Sequence, residues 1–364
     1  MSARTIIEEL VVVGAGPAGC AAAVQGRRLG LKPRLLDETG EVGGLLLNAH
    51  CVENYPGVEP MPGPELAARL EAHIARFGVA VERGRVSAVS AMTTAPEITT
   101  MRAERGTPTG LTLTGDFGAI EARSVILAVG TRPQPLPLPG IGAITGERLF
   151  YEVRALLAKI PAPGRVIVIG GGEAALDYAL TLAGAGAEVT ILTRCESLKT
   201  EGRLAEQVRS CASITHIGGG EVAHLASVEK GIRVDLVHAG GGGAGLRPPA
   251  VHADAVLVAV GRESRLLDLL AAGEMASLTS LDADVSRRAT GHILRRGRDL
   301  FPGVRTGVAG LFVAGDARTG SLGQVGMAVG DGLAAAMAAS AMASTDRLRA
   351  ASRPVHRGTA GEGS

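Results

Sequence analysis

Several apolar stretches along the chain are short unbroken runs that end at glycine. LVVVGAGPAGCAAAV at Leu10–Val24 has this form, and VIVIGGGEAALDYAL at Val166–Leu180 repeats it. A continuous apolar run reads as a parallel strand buried on both faces, and the alanine-rich stretch after each glycine cluster reads as a helix. A second pair echoes the first: VILAVGTRP, ending at Pro133, and AVLVAVGRE, ending at Glu263, each read as a late core strand closing at glycine. An internal repeat of this kind predicts two copies of one α/β plan. The proline-rich stretch Pro133–Gly140 cannot continue a sheet and is expected to run extended as an interdomain connector. GLFVAGD at Gly310–Asp316 and the alanine-rich run Gln324–Met342 supply one more strand and helix, returning the chain to the first domain. The predicted fold is therefore α/β, with two Rossmann-like, three-layer dinucleotide-binding domains and the second inserted into the first. The expected boundaries are 1–138 with 265–342 for the outer domain and 139–264 for the inserted one. Residues 343–364 are expected to form a disordered tail, and Ala91–Gly110 an excursion or disordered stretch.

Composition narrows the function classes. With 46% hydrophobic and 20% charged residues and a net charge of +1, nothing favours nucleic acid or an anionic membrane as partner. No basic segment followed by a long apolar one opens the chain, and no stretch reads as long and apolar enough to span a bilayer. Cys20, Cys51, Cys195 and Cys211 are scattered without CxxC spacing, which argues against a disulfide scaffold or a zinc site; no metal is expected, and a reducing cytoplasm is the default compartment. Tryptophan is absent and tyrosines number three, so Tyr55, Phe150, Tyr151 and Tyr178 are the rings worth locating near any cofactor.

Gly14, Gly16 and Gly19 form GxGxxG between a strand and a helix, the context in which this pattern binds a pyrophosphate. The first glycine permits the tight turn, the second admits the phosphates, and the helix beginning at Pro17 and Ala18 offers unpaired N–H groups and the positive end of its dipole. Asp37, 23 residues after Gly14 and followed by Glu38, stands where a carboxylate accepts hydrogen bonds from ribose hydroxyls. In the second unit Gly170, Gly172 and Ala175 make GxGxxA, with Glu173 and Ala174 opening the helix, and Gly261 closes the matching late strand. The residue 23 after Gly170 is Thr193, followed by Arg194 and then Lys199. A carboxylate there would repel a 2′-phosphate, whereas Thr193, Arg194 and Lys199 supply hydrogen-bond donors and positive charge. NADPH is therefore expected over NADH, the alternative being that Arg194 and Lys199 form an ordinary solvated loop face.

GAGPAG, Gly43–Gly44, VENYPG at Val52–Gly57, and a late AGD with GDG occur in this order around an inserted second Rossmann unit. In these motifs, from about Ile7 to about Ala339, the chain resembles the low-molecular-weight thioredoxin reductase family. The resemblance implies FAD in the outer domain, with Gly43, Gly44, Leu45, Asn54, Val86, Ala128 and Gly130 at its site. It implies that Gly315 belongs to the same site, that Asp316 bonds the ribityl chain, and that Gln324 and Val325 approach the flavin pyrimidine end. It also implies a homodimer. One departure is large. Members of that family carry a CxxC followed by Asp before the second glycine cluster, and TGERLFYEVRALLAKIPAPGRVIVIGGG contains no cysteine. Without an attacking and a resolving sulfur, the usual relay from flavin to disulfide cannot run. LFYEVRALL followed by GRVIVIGGG is similar to the thioredoxin-reductase-like ferredoxin/flavodoxin NADP reductases, whereas GDARTGSLGQVGMAVGDG is more similar to the thioredoxin reductases.

VGGLLLNAHCV also resembles the segment around the redox disulfide of the glutathione reductase superfamily, with Leu46 where the leading cysteine would stand. Cys51 is thus the one candidate catalytic side chain, with His50 beside it; the alternative is a small apolar residue in a loop. Three readings remain open from sequence: an FAD-dependent NAD(P)H oxidoreductase passing electrons to an unidentified acceptor such as ferredoxin, flavodoxin or a quinone; a single-cysteine thiol or disulfide oxidoreductase using Cys51; and a low-turnover flavoprotein with a redox-sensing or assembly role.

Overall fold

A computed structural model of the chain describes residues 7–92, 110–138, 141–229, 231–238, 250–266, 269, 303–306, 308–318 and 320–351. Among these, the helices used below are α1 (Pro17–Arg28), α2 (Gly63–Arg76), α3 (Val153–Lys159), α4 (Glu173–Gly184), α5 (Arg203–Ser210) and α6 (Val325–Ala351). The chain divides into two compact units: 1–42 with 72–129 and 266–364, and 43–71 with 130–265. The sequence alone had grouped residues 43–71 with the first of these.

The first unit is built on a parallel sheet in the order Leu311–Val313, Val125–Leu127, Leu10–Val13, Pro33–Asp37, Val81–Arg83. Its central strand, Leu10–Val13, is buried along its whole length, as the unbroken apolar run requires. Val11 and Val13 join a core with Val89, Leu111 and Leu113 of an antiparallel sheet on one face. Leu10 and Val12 face α1, close to Gly26 and Gly19. Helices, parallel sheet and antiparallel sheet make the three layers.

The second unit repeats the plan. Its parallel sheet runs Leu149–Phe150, Ala255–Val258, Arg165–Ile169, Glu188–Leu192, Ile214–Ile217. Val166 and Val168 pack with Leu176 and Ala179 of α4, while Ile167 and Ile169 pack with Val222, Ile232 and Val234 of an antiparallel sheet. The short strands Thr131–Pro133 and Arg262–Ser264 pair antiparallel.

Two expectations change at the C-terminal helix. α6 continues to Ala351, so residues 343–351 are helical rather than disordered. Alanine, leucine and arginine carry good helix propensity there, and Ser344 and Thr345 donate their hydroxyls to the carbonyls of Ser340 and Ala341 without leaving the helix. The remaining residues of the expected tail, 352–364, and 93–109 of the expected excursion lie outside the described residues. The 21-residue stretch Val325–Thr345, with mean hydropathy 1.4, is also long and apolar enough by length and composition to cross a membrane, contrary to the expectation that none is. That hydropathy comes largely from alanine, with valine, methionine and leucine, and the small residues serve close packing on α1. A Cβ on Gly332 would lie 2.1 Å from the Ala18 carbonyl oxygen and 3.0 Å from the Ala22 nitrogen.

The close crossing predicts opposite effects at neighbouring glycines. Gly332→Ala forces the helix backbones apart and is expected to cost about 1–3 kcal/mol in denaturant unfolding. Gly330→Ala, where a Cβ meets nothing within 4 Å, is expected to stabilise by about 0.5–1 kcal/mol through helix propensity alone.

Candidate dinucleotide-binding sites

In the first unit the predicted turn is held by its lack of side chains. Gly14 has φ +103°, and a Cβ there would sit 2.3 Å from the carbonyl oxygen of Ala128, whose own N–H bonds Val13 across the sheet. A Cβ on Gly19 would lie 1.7 Å from the Gly14 carbonyl oxygen, so α1 starts against the strand end only if that position is glycine. Gly16 is the N-cap and supplies no capping side chain, Pro17 has no N–H to leave unpaired, and the first turn holds no acidic residue. The helix end therefore keeps donors and positive potential for an anion, which fits a pyrophosphate. Asp37 accepts hydrogen bonds from Ala15 N at 3.0 Å, Thr39 N at 2.8 Å and Thr39 Oγ1 at 2.6 Å. Of the roughly four acceptor positions on a carboxylate, about one is left for a ribose hydroxyl. Glu38 is half-buried beside it, and Val86 lies in the core of the antiparallel sheet.

The late AGD segment is anchored to α6. Gly315, with φ +69°, donates its N–H to Asp331 Oδ2 at 3.2 Å, Arg318 pairs with the same carboxylate, and Ser321 Oγ donates to Asp316 at 2.8 Å. Gln324 and Val325 are half-buried at the start of that helix.

Gly43, Gly44, Leu45, Asn54 and Gly130 belong to the second unit. There Gly44–Asn48 forms a short 3-10 turn held by α3 and α4. Asn48 Oδ1 accepts from Arg154 N at 3.1 Å, capping α3 from outside, and Asp177 of α4 accepts from His50 N at 2.9 Å. Gly43 has φ +126°, and a Cβ would press on Ala67 of α2 and on Leu47. Cys51 follows in this turn. Burial, then the nearby carboxylates of Glu53 and Asp177, push its thiol up, with Arg203 opposing them. Such surroundings disfavour the thiolate. Among the other thiols, Cys20 is buried in α1, Cys195 is exposed and Cys211 half-buried; none is in a disulfide.

The second glycine turn opens into a cleft of about 1030 Å³ within its unit. Gly170, with φ +136°, approaches the Ala259 carbonyl, where a Cβ would lie 2.2 Å from the oxygen. Here the third position tolerates a methyl group: Ala175 Cβ is at an ordinary 3.5 Å from where a Gly170 Cβ would stand. Gly172, Glu173, Ala174, Arg194, Lys199 and Gly261 all line the cleft, and Arg194 and Lys199 are exposed there. Thr193 lines the cleft as well, but its hydroxyl is engaged. Its side chain is buried, and its hydroxyl donates to the Cys195 carbonyl at 2.7 Å and meets His216 Nε2 at 2.7 Å. The expected role as a donor to a phosphate does not fit a hydroxyl turned inward and bonded twice. The residue's methyl group instead fills the space beside Gly171.

The cleft has a wall that sequence reasoning missed. The proline-rich stretch, read as a connector, lines it from Pro133 to Leu138, together with Tyr151, Tyr178 and Arg262. Arg262 donates to Glu152 at 2.8 Å, to Thr131 Oγ1 at 2.9 Å and to the Thr131 carbonyl at 3.1 Å, while the Tyr178 hydroxyl donates to the other Glu152 oxygen at 2.8 Å. Burial and the Glu152 charge push the Tyr178 phenol up, so it stays a donor. Tyr151 accepts from Leu136 N at 3.2 Å. The scarcity of aromatics was the available signal for both tyrosines; for Arg262 it was only adjacency to Gly261. Among the described residues no group of three or more His, Cys, Asp or Glu side chains is placed to hold a metal ion.

Comparison with known proteins agrees with this doubled architecture. The family model for pyridine nucleotide-disulphide oxidoreductases matches residues 8–332. The chain is 27% identical over 349 residues to a thioredoxin reductase of Mycolicibacterium smegmatis, covering 93% of this chain and 97% of that one. It is 29% identical over 342 residues to a thioredoxin reductase of Treponema pallidum, covering 93% and 97% respectively. The crystal structure of Lactococcus lactis thioredoxin reductase superposes with a TM-score of 0.74 at 24% identity, covering 93% of this chain and 100% of that one, a likeness of fold. Two Rossmann-like units, two glycine turns and a match along most of its length lead to one conclusion: the chain belongs to the pyridine nucleotide-disulphide oxidoreductase family, as a thioredoxin-reductase-like flavoprotein of FAD and a nicotinamide nucleotide.

Proposed function

We propose that this protein is an FAD-dependent oxidoreductase that prefers NADPH and delivers electrons to an acceptor without a protein dithiol. The acceptor class is a one-electron carrier such as ferredoxin or flavodoxin, or a small oxidised molecule such as a quinone. The observation that carries this reading is the segment leading into the second glycine turn. From Leu149 to Ile169 it forms a strand, α3 and a second strand, and holds no thiol. The surroundings of Cys51 support the same reading, because two carboxylates and burial oppose the thiolate that disulfide exchange requires.

Bound FAD would supply the two-electron chemistry, taking a hydride from the nicotinamide and passing electrons on. The chain's own part is binding and orientation. The open N-terminus of α1, Asp37 and the Asp316 turn would hold the flavin nucleotide. The start of α4 would take the pyrophosphate of the coenzyme, and Arg194 and Lys199 its 2′-phosphate. Glu152 fixes Arg262 and Tyr178 at the cleft wall, where they would orient the coenzyme without exchanging protons. The exposed apolar side chains Met327, Leu333 and Met337 on α6 support a homodimer.

Anaerobic NADPH titration is expected to bleach the yellow protein, followed by turnover with ferredoxin, flavodoxin or a quinone and none with thioredoxin; rapid turnover with thioredoxin refutes the acceptor assignment. Cys51→Ser is expected to leave acceptor turnover unchanged, and its loss would favour the thiol reading. Arg194→Ala is expected to raise KM for NADPH about tenfold, the worth of one charge-assisted hydrogen bond, with KM for NADH unmoved.

A further inference from the structure

Just past the strand end, beside Arg194, Thr193 is met by a histidine from the next strand, His216. Thr193 Oγ1 has one hydrogen and donates it to the Cys195 carbonyl, so the 2.7 Å contact from His216 must use a hydrogen on Nε2. That hydrogen fixes the histidine's tautomer or protonation. Burial pushes the His216 imidazole down, against the opposing pull of Glu196, which favours the neutral Nε2–H form. The backbone completes the lock: Thr193 N bonds the Ile217 carbonyl at 3.0 Å, Gly220 N the Thr193 carbonyl at 2.9 Å and Gly219 N the Cys195 carbonyl at 3.2 Å.

The same arrangement sorts the charges of the turn. A Cβ on Gly218 would lie 2.3 Å from the Glu196 carbonyl oxygen, and one on Gly219 would lie 2.4 Å from Glu196 Oε1. Glycine at both positions lets the Glu196 carboxylate lie over Gly219, 3.9 Å from His238 Nε2. Arg194 and Lys199 meanwhile line the cleft, and Glu196 does not.

We infer that His216, acting through the Thr193 hydroxyl, is a positioning residue for coenzyme discrimination: it holds the turn so that Arg194 and Lys199 face a 2′-phosphate and Glu196 stays away from it. The inference rests on the reading that these two cations take the 2′-phosphate. His216 touches no coenzyme atom in this scheme. Its loss should weaken recognition of the 2′-phosphate and leave the rest of the cleft intact.

The test is calorimetric binding of 2′,5′-ADP and of 5′-AMP to the FAD-loaded protein, accompanied by KM and kcat with NADPH and NADH. His216→Leu, which removes the donor, is expected to weaken 2′,5′-ADP about fivefold and raise KM for NADPH in step, with 5′-AMP binding, KM for NADH and both kcat values unmoved. His216→Gln, which keeps an N–H, is expected to restore most of the 2′,5′-ADP affinity. Arg194→Ala separates the two levels of the argument. If it abolishes the preference for 2′,5′-ADP while His216→Leu leaves it intact, the positioning role is wrong and the cation assignment stands. If Arg194→Ala leaves the preference intact, the cation assignment fails and the inference with it. Equal loss of both ligands in His216→Leu, without rescue by His216→Gln, would make the histidine merely structural and overturn the inference.

Discussion

Both glycine turns depend on the same close approach of backbone to backbone. At Gly14 and at Gly170 the chain leaves a buried strand, takes a positive φ and passes within 2.3 Å and 2.2 Å, measured from an imagined Cβ, of a carbonyl oxygen on the neighbouring strand. Any side chain there would push the following helix off the sheet. Because the helix starts against the strand end, the positive end of its dipole is brought to the edge of the sheet, and the sheet's apolar residues are covered by its alanine face. Packing and anion binding are thus two consequences of one steric constraint.

The two copies satisfy that constraint to different degrees, and the difference has a physical origin. In the first unit a Cβ at the third fingerprint position would lie 1.7 Å from Gly14's carbonyl oxygen, and the residue is Gly19; in the second the corresponding Ala175 is accommodated in ordinary contact. α1 is also pressed from its other side by α6, where Gly332 leaves room for the Ala18 carbonyl. Gripped between sheet and helix, α1 has no space for a methyl group at Gly19. α4, which packs with α3 and α5 in its own unit, tolerates one.

The electrostatics of the second cleft come from parking charges rather than from accumulating them. The chain has a net charge of only +1, and the turn after Leu192 contains an acid between its two cations. Hydrogen bonds from His216, Gly219 and Gly220 hold that turn, and the glycines give the acid somewhere else to lie. In the same cleft, Glu152 binds Arg262 and Tyr178 together, so a cation and a phenol stand there in fixed orientations.

The sequence determined the doubled α/β plan, the two glycine turns and the absence of a dithiol, because each depends on local facts: an unbroken apolar run, a glycine where φ is positive, a residue type that is not there. The placement of Asp37 and Arg194 at the strand ends was legible for the same reason, since the strand after each glycine turn has nearly constant length. Only the tertiary structure decided where side chains point and what meets them. The Thr193 hydroxyl turns inward to His216, the proline-rich connector becomes a cleft wall, and the Gly44–Asn48 turn docks on α3 and α4 through Asn48 and Asp177. These contacts join residues about 20 to more than 100 positions apart, and no local pattern encodes them. The hydropathy of α6 is ambiguous in the same way, since small apolar residues suit a lipid-facing helix and a helix pressed onto another, and the close approach of Gly332 to Ala18 shows how one face is used.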